Sequence, residues 1–254
     1  MIGGRLPQAV RAAPALLALC AALAFAQILI PAQAAGLQVT PTSLTLQARQ
    51  QADALWLNNT GTTTLRAQVR VFRWVQENGE ERFDPSQGLA ISPPMIELAP
   101  GARQLVRVIR LGAPPTEETS YRLIVDELPP EQTPTDSGLQ FVLRYSVPVF
   151  LAPASAEPIQ PTLRAQLKFE GERPWLTVAN TGSQHAQLAD LTFVDAQGKR
   201  HALAPGLLGY ALPGQRMRWA LQTPAELLRG PGTFKARING ESDEQALALD
   251  PPAR

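Results

Sequence analysis

The chain has 254 residues, with 23 basic and 22 acidic side chains, a formal charge of +1 and a single cysteine, Cys20. This near-neutral balance leaves no electrostatic footprint for nucleic acid, and one cysteine excludes a disulfide framework. The length is enough to bury a substantial core in one or two domains.

Residues 1–34 read as a secretory signal. Arg5 and Arg11 give a positive start, an Ala/Leu-rich run extends from Ala12 to Ile30, and Ala32-Gln33-Ala34 fits a small-residue cleavage site. The run is about long enough to span a bilayer, but Pro14, Gln27 and Pro31 favour a cleaved signal over an anchor, with the cut expected between Ala34 and Ala35. Leu19 precedes Cys20 where a lipoprotein site would want a small residue, so lipidation is not expected. Loss of the two signal arginines takes the net charge from +1 to −1 and leaves a chain without cysteine, stabilised by burial alone. No later apolar run is long enough to cross a bilayer, and stable membrane insertion is not expected.

Short β-type runs follow, separated by turn residues. Leu37–Leu46 alternates around Pro41, Ala54–Leu57 ends in Asn58-Asn59-Thr60-Gly61, and Ala67–Val75 alternates cleanly before Glu77-Asn78-Gly79-Glu80. Leu105–Leu111 and Tyr121–Leu128 continue the series, the latter closed by Pro129-Pro130. Residues 139–151 read as one strand of unusual length, with Leu139, Phe141, Leu143, Tyr145, Val147 and Val149 on one face. Pro148 cannot donate to a ladder and marks an edge. A long apolar edge strand is an aggregation hazard unless it pairs with another chain by β-augmentation or its edges are covered. Many short strands with turns at this spacing predict an all-β fold of sandwich type.

The pattern repeats. Leu-Trp-Leu-Asn-Asn-Thr-Gly at 55–61 is echoed at 176–182 by Leu-Thr-Val-Ala-Asn-Thr-Gly, and Leu-Ala-Pro-Gly at 98–101 by Leu-Pro-Gly at 212–214. Two similar offsets predict two related sandwiches in tandem, at 35–153 and 159–254, joined by a Pro/Ala/Ser-rich linker at 154–158. Trp175, Phe193, Trp219 and Phe234 are expected core aromatics of the second, and the polar tail after Gly240 is expected to fray.

Catalytic motifs are scarce. His185 and His201 have no partner at metal-ligand spacing and are expected at exposed turns or strand ends. The chain carries no phosphate loop and no Gly-x-Ser-x-Gly elbow. The pairs Glu117-Glu118, Asp126-Glu127 and Asp243-Glu244 are adjacent, so on strands their side chains diverge. No metal, cofactor or enzymatic activity is expected; the sequence favours a binding or assembly protein. Asn58-Asn59-Thr60 fits the glycosylation pattern, a short match.

Val39-Thr40-Pro41-Thr42, Arg70–Trp74, Ile91-Ser92-Pro93-Pro94, and Leu98-Ala99-Pro100-Gly101 with Gln104 and Arg107 form an ordered set. It continues through Tyr121-Arg122, Glu127-Leu128-Pro129-Pro130 and Pro148-Val149-Phe150 with Pro153. This set resembles the PapD-like periplasmic pilus-assembly chaperones of chaperone–usher systems. The resemblance implies two immunoglobulin-like β-sandwich domains set at an angle with a cleft between them. It implies pilin subunits and an outer-membrane usher as partners, and a periplasmic location. Pilins would be held by donor-strand complementation through Leu139, Phe141, Leu143 and Tyr145. The family's basic pair for the client's C-terminal carboxylate aligns with Ser43 and Pro148, a departure, and Ser146-Val147-Pro148-Val149-Phe150 looks more like the archaic, spore-coat-U-associated branch. Pairing Leu128 near Leu139 would put Arg122 opposite Tyr145 and toward the junction; Arg122 and then Arg144 are the candidate carboxylate anchors. Self-association through the edge strand is a further candidate. The alternative is a secreted Ig-like structural or adhesive subunit of a surface fibre.

Overall fold

The computed structural model describes residues 36–129, 141–155 and 158–250. The first half comprises β1 (Leu37–Thr40), β2 (Leu44–Leu46), β3 (Ala52–Asn59), β4 (Leu65–Glu77), β5 (Glu80–Pro85), β6 (Leu89–Ser92), β7 (Met95–Leu98), β8 (Arg103–Arg110), β9 (Thr119–Leu128) and β10 (Arg144–Leu151). The second comprises β11 (Leu163–Glu170), β12 (Arg173–Asn180), β13 (Ala186–Asp195), β14 (Arg200–Ala211), β15 (Arg216–Ala220), a short helix α1 (Ala225–Arg229), β16 (Gly232–Ile238) and β17 (Glu244–Ala246).

Two sandwiches result. In the first, a sheet ordered β1-β3-β8-β6 faces one ordered β2-β10-β9-β4-β5, with β7 also on β4. Strand alternation builds the core: Leu55 and Leu57 of β3 and Val106 and Val108 of β8 meet Val69, Leu123, Val125, Val147 and Val149 from the other sheet. In the second, β11-β12-β15 faces β14-β13-β16-β17, around Leu176, Val178, Leu188, Leu191, Phe193 and Phe234.

The Asn-Thr-Gly echo is a shared structural device. Asn59 Nδ2 donates to the carbonyls of Thr63 (2.8 Å) and Leu98 (2.9 Å), and its Oδ1 accepts the Gly61 N–H at 2.9 Å. Asn180 Nδ2 donates to Gln184 O (2.7 Å) and Ala211 O (2.9 Å), and its Oδ1 accepts from Gly182 (3.0 Å) and Thr162 (3.1 Å). The two echoed motifs also touch each other in each sandwich: Gly101 N–H donates to Asn59 O, and Gly214 N–H to Asn180 O. Glycine is required at 182, where a Cβ would lie 2.3 Å from the Gln160 carbonyl.

Several expectations are corrected. Leu37–Leu46 is two strands in different sheets, because the chain crosses between them through Pro41. The long strand begins at Arg144, so Phe141–Leu143 precede it, and Leu139 lies outside the described residues. The tail does not fray through Asp250: β17 pairs with β16, Leu247 enters the core, and Asp250 N–H donates to Ala165 O. Trp175 lies outside the second core cluster; Arg218 and Arg173 stack on its ring at 4.2 and 5.4 Å.

Each asparagine donates to a buried backbone carbonyl, Leu98 O for Asn59 and Ala211 O for Asn180. Asn59→Ala and Asn180→Ala should each destabilise the protein by about 1–3 kcal/mol, the cost of orphaned buried carbonyls, with nearly additive effects in the double variant because the sites are separate. Urea unfolding followed by tryptophan fluorescence checks this.

Candidate functional site

Among the described residues, one strand edge is left half covered. On one side β10 pairs with β9 over its full length, from Arg144↔Asp126 to Leu151↔Thr119. On the other, β2 reaches only Val149–Leu151. Among the described residues, Arg144–Pro148 therefore have no strand on that side. The Glu127 N–H donates to Leu143 O (2.8 Å), so Leu143, Tyr145 and Val147 direct their backbone groups at β9 and Arg144, Ser146 and Pro148 direct theirs outward. The Glu127 carboxylate accepts the Leu143 N–H at 3.1 Å and fixes the entry to the strand.

The predicted donor residues divide along this edge. Phe141 is 74% exposed and Val142 48% exposed. Leu143 and Tyr145 are half-buried against the rim of the first core, and the Tyr145 hydroxyl donates to Leu37 O at 2.6 Å. The strand thus runs from exposed apolar side chains to fully buried ones.

The two candidate anchors have different environments. Arg144 is exposed and shares the Asp126 carboxylate with Arg70 (2.6 Å to Arg70). Arg122 is 8% exposed. The register corrects its expected position: Arg122 stands opposite Pro148, and Tyr145 opposite Val125, three residues from the predicted pairing. Its guanidinium lies 3.7 Å over the Trp74 ring and 5.2 Å from that of Tyr210, so it does reach the junction between the sandwiches. Nη1 lies 3.4 Å from Ser146 O and Nη2 3.4 Å from Glu81 Oε1. Arg122 Nε and Trp74 Nε1 are buried donors without an acceptor among the described residues. Burial lowers the pKa of Arg122, and Glu81 opposes that shift; a guanidinium stays charged regardless.

Beside this stack the sandwiches are bonded together. Trp74, Phe150, Tyr210 and Leu212 form a buried cluster, each worth about 1.5–3 kcal/mol of burial. Gln76 accepts the Leu212 N–H at 3.0 Å and donates to Tyr210 O at 2.7 Å. The β4–β5 turn reaches β15, where a Cβ on Gly79 (φ +82) would lie 2.8 Å from Arg218 Cγ. Against expectation, neither histidine is free and exposed. His185 stacks on Phe150 with centroids 3.4 Å apart, and both its ring Nδ1 and its backbone N–H meet the buried Glu118 carboxylate. His201 Nε2 lies 2.8 Å from Asp195. Glu118 and His185 are 67 residues apart in sequence, whereas Asp195 and His201 are only six apart and are brought together across the β13–β14 turn. No cluster of metal-ligating side chains occurs among the described residues.

Residues 36–157 match the family of pili and flagellar-assembly chaperones, PapD N-terminal domain. The first sandwich is that of a PapD-like pilus chaperone. No curated protein matches the chain. Among solved structures, one in the CsuC–CsuE chaperone–tip adhesion subunit pre-assembly complex, from archaic chaperone–usher Csu pili of Acinetobacter baumannii, is similar at 24% identity and TM-score 0.66. The match covers 85% of this chain and 98% of that one. A second, in the Salmonella enterica complex of SafA pilin with the SafB chaperone, has 18% identity and TM-score 0.58, covering 85% and 98%. A third, the periplasmic chaperone SfaE, has 15% identity and TM-score 0.54, covering 84% and 100%. These likenesses extend the PapD-like architecture over both sandwiches.

Desolvation raises the pKa of Asp126, but hydrogen bonds from Arg144 and Arg70 overcome it, and the net shift is downward. A depressed carboxylate contributes stability that is complete above its unfolded pKa, about 3.9, and is lost as pH falls through the lower folded value. The Arg70–Asp126–Arg144 clamp should therefore stay charged at any pH above about 4. In carbon-13 NMR titrations the Asp126 carboxyl should titrate below the ordinary aspartate range, and Arg144→Ala should move its midpoint upward.

Proposed function

We propose that this PapD-like protein, a member by its first sandwich of a non-enzymatic family, is a periplasmic chaperone. It holds pilin subunits by donor-strand complementation and passes them to an outer-membrane usher. The observation that carries the proposal is the half-covered β10, whose free side is preceded by exposed Phe141 and Val142. An incomplete pilin offers unpaired backbone groups and an apolar groove; a strand laid along Arg144–Pro148 satisfies the first, and each large side chain inserted in the second adds about 1.5–3 kcal/mol. Leu139, Phe141, Leu143 and Tyr145 are the proposed donors. The proposal includes residues 1–34 as a cleaved export signal and domains at 35–153 and 159–254. Co-expression with candidate pilins from neighbouring genes tests the function: a stoichiometric soluble complex supports it, whereas incorporation of this chain into purified fibres supports a fibre subunit.

Phe141→Lys should abolish pilin capture without loss of stability, since the side chain packs against little in the free protein and a charge cannot enter an apolar groove. Leu143→Lys should abolish capture at a small cost in stability, because this residue also packs on the core rim. Circular dichroism melts and co-purified pilin measure both.

Arg122 is the proposed anchor for the client's terminal carboxylate, with exposed Arg144, already held by Asp126, second. Arg122→Ala should weaken pilin binding by about 1.5–3 kcal/mol, the value of a charge-assisted hydrogen bond, and by much less when the client's C-terminus is amidated. Comparing the two clients on the same variant separates the lost charge pair from any loosening of the Trp74 stack. Equal binding of both clients by wild type and variant would leave strand pairing and apolar contact as the whole of the grip.

A further inference from the structure

Glu81 lies on β5, one third exposed, and approaches Arg122 with a single oxygen, Oε1 at 3.4 Å from Nη2. Charge-assisted hydrogen bonds of this type usually close to about 2.7–2.9 Å, so this contact is long. It is also one-pronged. The Nη2 and Nε hydrogens of a guanidinium form a side-on fork that accepts both oxygens of one carboxylate. Glu81 occupies the Nη2 prong, while the adjacent Nε is buried and has no acceptor among the described residues. Nη1, away from this fork, lies at Ser146 O on the uncovered side of β10. Trp74 Nε1, on the ring stacked under the guanidinium, is a second buried donor without an acceptor.

We infer that Glu81 is a resident place-holder: it satisfies Arg122 in the empty protein and is displaced when a chain-terminal carboxylate takes the Nε–Nη2 fork with both oxygens. This rests on the proposal of Arg122 as anchor and adds an internal competitor to it. One guanidinium flanked by two carboxylates would carry a net negative charge in a largely dry site, so the newcomer and Glu81 exclude each other. Glu81 can leave at little cost because its side chain already reaches water, whereas Arg122 is held by the ring beneath it. Glu81 thereby sets a threshold: a carboxylate is retained only if it binds the fork better than the tethered one does.

The test uses N-acetyl-phenylalanine, which carries a terminal carboxylate, against its primary amide, titrated into full-length exported protein. The Arg122 Nε–H and Trp74 indole N–H signals are followed by nitrogen-15 NMR. The carboxylate, not the amide, should shift the Arg122 signal. Glu81→Gln and Glu81→Ala should each tighten the carboxylate roughly two- to fivefold, the range set by a partly exposed ion pair, and leave the amide unchanged. Two variants are used so that a packing defect specific to one does not decide the result. If the carboxylate binds wild type and loses its effect in Arg122→Ala, but neither Glu81 variant tightens it, Arg122 remains the anchor and the place-holder is overturned. If the carboxylate never perturbs Arg122 even in the Glu81 variants, the anchor itself is overturned, and the place-holder with it. Lower melting temperatures in both Glu81 variants with unchanged carboxylate binding would make the pair purely structural and likewise overturn the inference.

Discussion

Buried or not, a backbone N–H or C=O seeks a partner, and among the described residues half of one side of β10 has no strand to supply one. β9 satisfies one side throughout, while β2 satisfies the other only from Val149 onward. The remaining architecture follows from keeping such a strand both stable and presentable. The buried half, Val147 to Leu151, roots the strand in the first core. Tyr145 ties it to β1, and Glu127 holds its entry through Leu143. The result is a fixed strand with an uncovered flank, the opposite of the short, charged or covered edges by which most soluble sheets avoid pairing.

A second constraint is the buried charge at the junction. A guanidinium taken from water needs compensation, and Arg122 receives it from the Trp74 face, a long contact to Glu81 and a distant carbonyl. None of these saturates its donors. The junction around it is satisfied more completely: Gln76 uses both its side-chain oxygen and nitrogen across the interface, and Glu118 accepts from both ring and backbone of His185. Rigid bonding beside an under-satisfied cation is a preorganised arrangement, in which ordering is already complete before a ligand arrives.

Much of this was legible in the sequence. Alternation located most strands, the Asn-Thr-Gly echo gave the tandem sandwiches, and Pro148 marked an edge. What alternation cannot supply is register. A ladder slipped by an odd number of residues changes which side chains face one another, and the expected partner of Arg122 was Tyr145 when it is Pro148. The length of the strand was also overread, because apolar Phe141, Val142 and Leu143 continue the apolar run although the ladder begins at Arg144. The Glu118–His185 pair joins residues close in space and far apart in sequence, while the Asp195–His201 pair depends on how the β13–β14 hairpin turns. Trp175 was assigned to the core by its size, yet Arg173 and Arg218 cover its outward face. The docked tail depended on the short Ala246-Leu247-Ala248-Leu249 run, of which Leu247 is buried and Leu249 exposed.

Pro148 gives the uncovered flank a direction as well as a location. Its backbone faces outward, but the ring nitrogen has no hydrogen to offer, so the rail of donors running along β10 stops at Ser146. Just beyond, β2 takes up the rest of the strand. A strand laid along that flank, as proposed for the client, would therefore meet a buffer at the same point where, across the sheet, Arg122 stands opposite the proline. One residue that offers no N–H would thus act as a ruler, setting how far along the rail a guest could slide and bringing its end toward the buried Arg122.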